Sequence, residues 1–422
     1  MHFLQQLKKY KSMELRPYQK EKALQLAKVC FNNGIGYLAG EVRSGKTLTA
    51  LQTAKLLNCE KVLVITKKKA ISSIESDYKN FGFAYDLTCI NYESLHKLES
   101  NKFDLVIYDE AHSLGAYPPR SKRTNLAKKL FYKIPCILMS GTPAVESYSQ
   151  LYNQFYVSKF SPFAKYVNFY KWANHFVDKK QMKLPTHTVT DYSHAKVDEI
   201  NKIIEPYFVK MTQQDAGFSV KVTEHYLEVE TPKKINDLAK RLLKDKAIEG
   251  QTGFILGDTP AKLQSKVHQI YNGSCIIETA SGESKTIILN KYKANFIAEH
   301  FKGKKIAIMY YYQAELEILK ATFGGGITTD LETFNTKDVN LAIQQSSTEG
   351  MNISKADYLV YYNLGFSGKN YLQSRDRLTV KERTQNDVYF ICESNGITSK
   401  ILKAVQNKKD FNTRLFKKEY GI

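Results

Sequence analysis

The sequence predicts an α/β fold of two lobes, each built on a doubly wound parallel sheet, with a mainly helical insertion between them. Short apolar runs that suit buried parallel strands alternate with helical stretches, which is typical of doubly wound sheets. The alternation occurs in the first half of the chain and again in its last third. The length of 422 residues allows two or three domains with sizeable cores.

Each of the two alternating regions contains four predicted strands and two predicted helices. Four- to six-residue apolar runs mark the strands, and apolar residues at helical spacing mark the first helix. In the first half, strands are expected at 35–39, 62–66, 105–108 and 136–139, with helices at 19–33 and 46–57. In the last third, strands are expected at 306–310, 341–344, 359–362 and 388–391, with helices at 314–321 and 369–377.

The middle of the chain has a different character. Residues 160–183 are dense in aromatic side chains, which we interpret as core packing rather than as a surface that stacks on bases. Two apolar runs at 275–279 and 286–289 flank a glycine-containing turn and predict a β-hairpin. We therefore expect a first lobe at 1–230 with an aromatic-rich helical insertion at about 160–205, a connection at 231–283 and a second lobe at 284–422.

The charge balance is strongly basic. The chain has 62 Lys and Arg against 42 Asp and Glu, a formal net charge of +20, which favours a polyanionic partner because neutralised phosphates release counterions. No apolar run approaches the ~18 residues of a membrane span, and the first residues lack a signal-peptide core, so we expect no membrane partner. The six cysteines form no CxxC pair, which excludes common zinc spacings and favours a reducing, cytoplasmic location.

Residues 40–47 match the phosphate-loop pattern G-x4-GK[ST] between a predicted strand and a predicted helix. Gly40 and Gly45 let backbone N–H groups turn towards phosphate oxygens at the positive end of the following helix. Lys46 is expected to reach the β- and γ-phosphates of a nucleotide, and the Thr47 hydroxyl is expected to ligate Mg²⁺. The alternative interpretation is a glycine-rich tight turn.

Two adjacent carboxylates, Asp109 and Glu110, follow the predicted strand 105–108. Ligands of parallel α/β sheets collect at the carboxyl ends of the strands. One carboxylate, Asp109, is expected to hold Mg²⁺, while Glu110 orients and deprotonates an attacking water molecule. Alone, such a pair is also typical of the start of a loop, but downstream of a phosphate loop the catalytic interpretation is favoured.

With Asp109-Glu110-Ala111-His112 added, the chain resembles the superfamily 2 helicases and translocases, and within them the Swi/Snf-type branch, particularly small helicase-like proteins of phages. The resemblance implies two RecA-like lobes. It also implies that Gln19 reads adenine and that Arg377 reaches the γ-phosphate from the second lobe. The implied ATP-binding set is Arg16, Gln19, Gly40, Arg43, Ser44, Gly45, Lys46, Thr47, Gly350, Gln373 and Arg377, and the implied catalytic set is Lys46, Asp109, Glu110 and Arg377.

The same resemblance implies residues that contact nucleic acid and residues that couple hydrolysis to movement. His112 and the Ser140-Gly141-Thr142 segment, which follows a predicted strand, correspond to the coupling motifs of the family. The expected nucleic-acid contacts are Lys67, Lys68, Lys69, Asn91, Tyr92, Ser347 and Thr348.

The chain departs from the family pattern at two places. The second arginine of the last motif is replaced by Val380, so Arg377 is expected to act as the main arginine finger, with Arg375, Lys381 or Arg383 as substitutes. The segment before Gly350 carries fewer glycines than the family motif, so its contact with nucleic acid is expected to differ. Neither departure affects Lys46, Asp109 or Glu110.

These observations favour an ATP-driven motor on nucleic acid that uses ATP and Mg²⁺ (held by Thr47 and Asp109). The Swi/Snf likeness favours duplex or branched DNA as the partner, with single-stranded DNA also open and RNA less expected. Alternatives are an RNA helicase, a nucleotide-gated DNA-binding adaptor without motor activity, and the motor subunit of a replication or recombination assembly. The expected location is cytoplasmic, in the host cytoplasm if the chain is of phage origin.

Overall fold

The chain divides into two units, Met1–Gly217 and Phe218–Ile422. They are seen in a computed structural model that describes residues 13–98, 102–144, 147–183, 188–217, 221–347, 353–375, 378, 385–407 and 410–421. None of the helices in these ranges combines the length and the apolar character needed to cross a membrane.

The first unit is built on a six-stranded parallel sheet in the order β3-β2-β4-β5-β1-β8. Its strands are β1 Ile35–Gly40, β2 Lys61–Thr66, β3 Asp86–Asn91, β4 Leu105–Tyr108, β5 Cys136–Ser140 and β8 Phe208–Met211, and a separate hairpin pairs β6 Lys180–Lys183 with β7 Thr188–Asp191. Its helices are α1 Pro17–Asn33, α2 Lys46–Leu56, α3 Ile71–Asn80, α4 Lys122–Phe131, α5 Ser149–Phe155, α6 Phe169–Phe176 and α7 Val197–Ile204.

Helices cover both faces of this sheet, and each face has its own core. One core joins the sheet to α1, α2 and α3 through residues such as Leu26 and Ala54. The other joins it to α4, α5, α6 and α7 through residues such as Phe131 and Trp172. Strands buried on both faces explain the continuous apolar runs in the sequence.

The second unit contains a second six-stranded parallel sheet, in the order β15-β16-β14-β17-β18-β9. Its strands are β9 Lys221–Val229, β14 Ile306–Tyr310, β15 Ile327–Thr328, β16 Asn340–Gln344, β17 Tyr358–Tyr361 and β18 Gln385–Glu393. Its helices are α8 Lys233–Asp245, α9 Pro260–Tyr271, α10 Tyr292–His300, α11 Gln313–Phe323, α12 Leu331–Thr336, α13 Gly368–Arg375, α14 Thr398–Gln406 and α15 Thr413–Tyr420. The predicted architecture of two RecA-like α/β lobes is confirmed.

A four-stranded antiparallel sheet accompanies the second unit, in the order β10-β11-β12-β13, with β10 Ala247–Gly250, β11 Gly253–Leu256, β12 Ser274–Glu278 and β13 Ser284–Ile288. The hairpin of β12 and β13 is the one that the sequence predicts. The residues expected as a connection, 231–283, instead share the second unit's core through side chains such as Leu242 and Val267. The division at Gly217 also precedes the expected boundary at 230, because β9 pairs with β18.

The aromatic-rich segment of the first unit is a packing element, as the sequence predicts. Phe163, Phe169, Trp172 and Phe176 are all buried, and their rings lie against one another and against Tyr152. Ring pairs of this kind add stabilisation beyond the area that they bury.

A fully buried ion pair joins three elements of the second unit and the residue that follows α9. Lys293 of α10 donates from Nζ to Glu393 Oε1 at 2.7 Å and to Asn272 Oδ1 at 2.7 Å. Glu393, at the end of β18, also accepts from the backbone N–H and the hydroxyl of Thr398 at the start of α14. Burial acts to raise the pKa of Glu393, but these contacts outweigh it and hold the pKa below its usual value.

We expect Lys293→Met to destabilise the second unit by about 3–5 kcal/mol, because it leaves the Glu393 carboxylate buried without its cation. Urea unfolding followed by circular dichroism measures the loss. The fluorescence of Trp172, the only tryptophan, separately reports the core of the first unit.

Lys293→Met combined with Glu393→Gln should recover most of the loss, and exposed Lys302→Met should change little. If Lys293→Met alone were as stable as the unchanged protein, the ion pair would not be important for stability.

Candidate functional site

The loop between β1 and α2 has a backbone path that requires glycine at both ends. Gly45 has φ +82° and precedes the first residue of α2. A Cβ atom at Gly45 would lie 2.3 Å from Gln19 Nε2, and one at Gly40 would lie 2.5 Å from Lys46 Cγ. A side chain at either position would therefore clash with the residues that surround the loop.

The Lys46 ammonium group lies over this loop. Its Nζ donates to the carbonyl oxygens of Gly40 at 2.8 Å and Glu41 at 2.9 Å. Lys46 and Thr47 are the first two residues of α2, whose first N–H groups have no carbonyl partner within the helix. Because these N–H groups and the helix dipole favour anions, the loop and helix start form a phosphate-binding geometry.

Helix α1 holds the loop from outside through two side chains. Tyr18 donates its hydroxyl to the Ser44 carbonyl oxygen at 2.9 Å. Gln19 is almost completely buried; its Oε1 accepts from the Arg16 backbone N–H at 3.0 Å, and its Nε2 lies 3.4 Å from the Gly45 carbonyl oxygen. Gln19 and the phosphate loop, predicted as parts of one site, are therefore in contact.

Other predicted loop residues have distinct positions. Ser44 is buried and donates its hydroxyl to the Glu41 carbonyl oxygen at 2.9 Å. Arg43 takes a left-handed backbone conformation, with φ +63°. The exposed residue Arg16 is the N-cap of α1.

Asp109 lies directly after β4, held by hydrogen bonds to both carboxylate oxygens. Thr66 Oγ1 donates to Oδ2 at 2.7 Å, and the Glu110 backbone N–H donates to Oδ1 at 2.9 Å. Burial raises the pKa of Asp109 to about 6, and the Glu110 carboxylate adds to the shift, while Thr66 and the Lys46 charge oppose it. A partly desolvated carboxylate facing a lysine is suited to hold a divalent cation.

Glu110, His112 and Ser140 form a polar chain between the strand ends of β4 and β5. Glu110 has a left-handed backbone with φ +50°. Its Oε2 lies 3.1 Å from His112 Nδ1, which in turn lies 2.9 Å from Ser140 Oγ. The structure thus places the predicted catalytic carboxylate beside two of the predicted coupling residues.

The segment after Ser140 extends this chain towards the phosphate loop. The Thr142 backbone N–H donates to Ser140 Oγ at 3.1 Å. A Cβ atom built on Gly141 would lie 3.3 Å from the Gly40 carbonyl oxygen and 3.8 Å from Lys46 Nζ. All four predicted coupling residues therefore lie at the same edge of the sheet as Lys46 and Asp109.

Tyr92, which was predicted to contact nucleic acid, lies inside the first unit. Its ring is buried in the core, and its hydroxyl donates to the Asp109 carbonyl oxygen at 2.6 Å. The guanidinium of Arg123 covers the ring at 4.9 Å from its centre. Tyr92 holds the Asp109–Glu110 peptide from within the protein, which corrects the prediction.

The other predicted nucleic-acid contacts in the first unit lie after neighbouring strand ends. Lys67, Lys68 and Lys69 follow β2; the last two are exposed, and Lys67 is half-buried. Asn91 is the last residue of β3, half-buried and paired in register with Thr66. The carboxyl edge of the sheet therefore carries exposed positive charge beside the carboxylates.

Several predicted residues of the second unit lie outside the described part of the chain: Thr348, Gly350, Arg377, Val380, Lys381 and Arg383. Gln373 belongs to α13 and Ser347 to a 3₁₀ turn, Gln345–Ser347. Arg375, a proposed substitute finger, places Nη1 3.4 Å from Glu224 Oε1. The roles of these residues stay predictions.

Residues that the motifs do not identify complete the site. Thr66 is the last residue of a predicted strand, and that strand lies beside the one that precedes Asp109. Its position at the strand end could therefore have predicted that it lies near Asp109. Tyr37 donates to Gln154 Oε1 at 2.6 Å, and Gln154 Nε2 donates to the Pro143 carbonyl oxygen at 2.7 Å. No pattern in the sequence connects Gln154 to this edge.

Gln213, far along the chain, also contacts the phosphate loop. Its backbone N–H donates to Glu41 Oε2 at 2.6 Å, and its Nε2 donates to the Val42 carbonyl oxygen at 3.1 Å. The Glu41 N–H donates to the Met211 carbonyl oxygen at 2.8 Å. The segment that follows β8 thus braces one side of the loop.

Comparison with known sequences gives relatives for about half of the chain. It is 25% identical to Helicase SWR1 of Candida glabrata over 244 residues, which cover 48% of this chain and 17% of that protein. Helicase SWR1 of Saccharomyces cerevisiae is 23% identical over 244 residues, covering 48% and 16%. The chain therefore spans less than a fifth of the length of these relatives.

Comparison with solved structures gives two archaeal neighbours. The Sulfolobus solfataricus SWI2/SNF2 ATPase core in complex with dsDNA has a TM-score of 0.43 and 17% identity, covering 96% of this chain and 93% of that chain. The SWI2/SNF2 ATPase core domain of the same organism has a TM-score of 0.40 and 15% identity, covering 95% and 90%.

The SNF2-related domain family matches residues 14–247, which include the phosphate loop, both carboxylates and the coupling segment. The predicted Swi/Snf-type branch of superfamily 2 is confirmed, and the likeness to small phage proteins stays a prediction. Since the match covers more than half of its length, the chain belongs to the SNF2-related domain family.

Proposed function

We propose that the protein is an ATP-driven translocase that moves on duplex or branched DNA. The observation that carries this proposal is the convergence of Lys46, Asp109 and the Glu110–His112–Ser140 chain at one edge of the first unit's sheet. This arrangement combines a phosphate cradle, a cation-binding carboxylate and a base beside a polar relay. The family membership and the name helicase carried by the SWR1 relatives support it.

The first unit's residues fit ATP with Mg²⁺. The glycine cradle admits phosphate oxygens where a Cβ atom would clash, and Lys46 exchanges its two carbonyl partners for the β- and γ-phosphates. Thr47 and Asp109 are the residues that would hold Mg²⁺, which neutralises charge on the phosphates when bound. Gln19, in contact with Gly45, is proposed to bind the adenine, as the family resemblance implies.

Glu110 is the residue that orients the attacking water and accepts its proton. Asp109 is already held by Thr66 and a backbone N–H, so Glu110 is the adjacent carboxylate left to act as the base. His112 Nδ1 lies 3.1 Å from Glu110 Oε2, beside the proposed base. Since Ser140 Oγ lies beside the same nitrogen, a change of charge at Glu110 affects the contact between His112 and Ser140.

We propose that this relay couples hydrolysis to movement. Thr142 hydrogen-bonds to Ser140 through its backbone, so the direction of the Ser140 hydroxyl affects the segment after β5. The second unit is proposed to supply Arg377 to the γ-phosphate, as the family resemblance implies. With Val380 at the second arginine position, this function depends on Arg377 and its neighbours.

DNA is the proposed track because of the family membership, and the exposed ammonium groups suit contact with a phosphate backbone of any sequence. Lys68 and Lys69 are exposed at the edge that carries the catalytic carboxylates. Lysine–phosphate contacts fix position without reading sequence, as stepping along a backbone requires. We also propose a cytoplasmic location, which the six free cysteines support, and an association with proteins of replication or recombination.

The test is the steady-state ATPase rate without nucleic acid and with duplex DNA, branched DNA, single-stranded DNA or RNA. We expect the strongest stimulation with duplex or branched DNA. Lys46→Ala should abolish turnover because it removes the phosphate-binding ammonium group, whereas Lys55→Ala, at an exposed lysine of the same helix, should not.

Each other outcome has a definite meaning. Stimulation by RNA alone would replace the proposal with an RNA helicase. ATP binding without turnover on any nucleic acid would favour the nucleotide-gated adaptor. Turnover that survives Lys46→Ala would refute the assignment of the site.

Tyr92→Phe tests the corrected role of Tyr92. We expect the DNA-stimulated ATPase rate to fall by about two- to twelvefold, which corresponds to the roughly 0.5–1.5 kcal/mol of the hydrogen bond to Asp109. Duplex affinity, measured by fluorescence anisotropy without nucleotide, should not change because the ring is buried. Weaker DNA binding with an unchanged ATPase rate would restore the predicted contact role.

Lys68→Gln combined with Lys69→Gln tests the phosphate contacts. We expect the slope of log Kd against log salt for duplex DNA to decrease by about 2, since each lost contact removes roughly 0.9. Lys20→Gln combined with Lys28→Gln, at exposed positions of α1, is the matched control. Equal slopes in the two double variants would show that the lysines after β2 do not bind phosphate.

A further inference from the structure

One region of the first unit is poor in carboxylates, so its net positive charge per residue exceeds that of the whole chain. Residues 111–177 contain nine Lys and Arg side chains and a single carboxylate, Glu146. The whole chain, by contrast, has about two carboxylates for every three basic side chains. The basic residues are Arg120, Lys122, Arg123, Lys128, Lys129, Lys133, Lys159, Lys165 and Lys171.

Helix α4 presents much of this charge on one face. Lys122, Asn125 and Lys129 of the helix recur at helical spacing, Lys133 follows two residues beyond its end, and all four are exposed. The last three of them, together with Lys128, line a surface depression of about 630 Å³. We call Arg120, Lys128, Lys129, Lys133 and Lys159 the α4 patch.

An aromatic ring holds two of these cations together. The Arg120 guanidinium lies 3.9 Å from the centre of the Tyr156 ring, and Lys128 Nζ lies 3.3 Å from the same centre. Lys159 is linked to the end of α4, because its backbone N–H donates to the Tyr132 carbonyl oxygen at 2.9 Å. Tyr156 and α4 thus bring like charges into a small area.

Within the described ranges, no carboxylate forms an ion pair with any residue of the α4 patch. Two lysines in the last turn of α4 are explained by the helix dipole, which favours cations there. The dipole does not explain Arg120 or Lys159, which lie outside the helix. Self-repulsion of this kind disfavours the folded protein, and a bound polyanion relieves it.

Lys133 and Lys159 of the α4 patch belong to segments at the sheet edge opposite the phosphate loop. The backbone of Pro135, which leads into β5, accepts from Val106 N–H, and Cys136 N–H donates to the Gly34 carbonyl oxygen, so this segment lies at the amino ends of the strands. A Cβ atom on Gly34 would lie 2.5 Å from the Phe160 ring, which places the Lys159 segment there too.

The patch is also separated from the lysines after β2. Strands of five or six residues put the two edges about 17–20 Å apart. Helix α4 covers the face opposite the one covered by α3, into which the Lys67–Lys69 segment leads. The sheet therefore lies between the two basic surfaces.

We propose that the α4 patch binds the phosphate backbone of a second duplex DNA segment while the carboxyl edge holds the first. This inference rests on the proposed function for the identity of the polyanion, and charge complementarity supports it. Duplex is favoured over single strands because Tyr156 is covered by two cations instead of presenting a free face on which bases stack. The protein thereby bridges two duplex segments, such as two arms of a branched molecule.

A bridging assay without nucleotide tests the proposal. A short biotinylated duplex is fixed to beads, the full chain is bound, and retention of a second, fluorescent duplex is measured. Lys129→Gln, Lys133→Gln and Lys159→Gln are combined in the patch variant. The matched control combines Lys285→Gln, Lys302→Gln and Lys304→Gln at exposed lysines of the second unit.

We expect the unchanged protein and the control variant to retain the fluorescent duplex. The patch variant should retain at least tenfold less, because three phosphate contacts, each contributing about 0.9 to the salt dependence, are lost. Its duplex-stimulated ATPase rate and its thermal unfolding midpoint should match those of the control.

Absence of bridging by the unchanged protein, or equal bridging by the two triple variants, would overturn the proposal. Preferential competition by duplex RNA would overturn the choice of DNA. Bridging without any DNA-stimulated ATPase would contradict the proposed function alone, and stimulation without bridging would contradict the α4 patch alone.

Discussion

The first unit's site depends on one constraint, which is that the carboxyl ends of its parallel strands meet at a single edge. The phosphate loop leaves β1, Asp109 leaves β4 and Ser140 closes β5, so three segments far apart in sequence become neighbours without any long connecting side chain. The cost is a desolvated carboxylate at that edge, which is why the pKa of Asp109 is raised. Three side chains surround Asp109. Thr66 donates its hydroxyl to the carboxylate, Tyr92 donates its hydroxyl to the backbone carbonyl oxygen, and the positive charge of Lys46 opposes the rise in pKa.

The second unit also contains buried carboxylates, and two of them are stabilised in different ways. Glu393 is paired with a lysine in its core. Glu315 of α11, by contrast, is held by the Tyr311 and Tyr312 backbone N–H groups and by Asn363 Nδ2, and burial raises its pKa to about 7. Asn363 and Gln345 in turn tie the ends of β17 and β16 to each other. Amide side chains thus fix the ends of β16 and β17, and the Lys293–Glu393 ion pair fixes the end of β18.

Local patterns in the sequence were sufficient for the parts of the fold and site that depend on local chemistry. The eight predicted strands are all present because buried parallel strands are continuously apolar, and Lys46 and Asp109 are found because glycines and carboxylates mark their loops. Strand β3 escaped prediction because it is a half-buried edge strand with polar residues. Tyr92 was assigned to the surface because a motif gives order along the chain but not the direction of a side chain. Gln154 and Gln213 reach the site only through tertiary packing, which leaves no local signal.

The contacts of Gln213 have a mechanical consequence for the phosphate loop. Gln213 is bonded to Glu41 and Val42 and lies four residues before Gly217, where the first unit ends. The start of the loop is therefore fastened to the segment that follows β8. Any movement of the Glu41 and Val42 backbone must stretch or break these hydrogen bonds, so the position of residues 211–213 depends on the conformation of the loop.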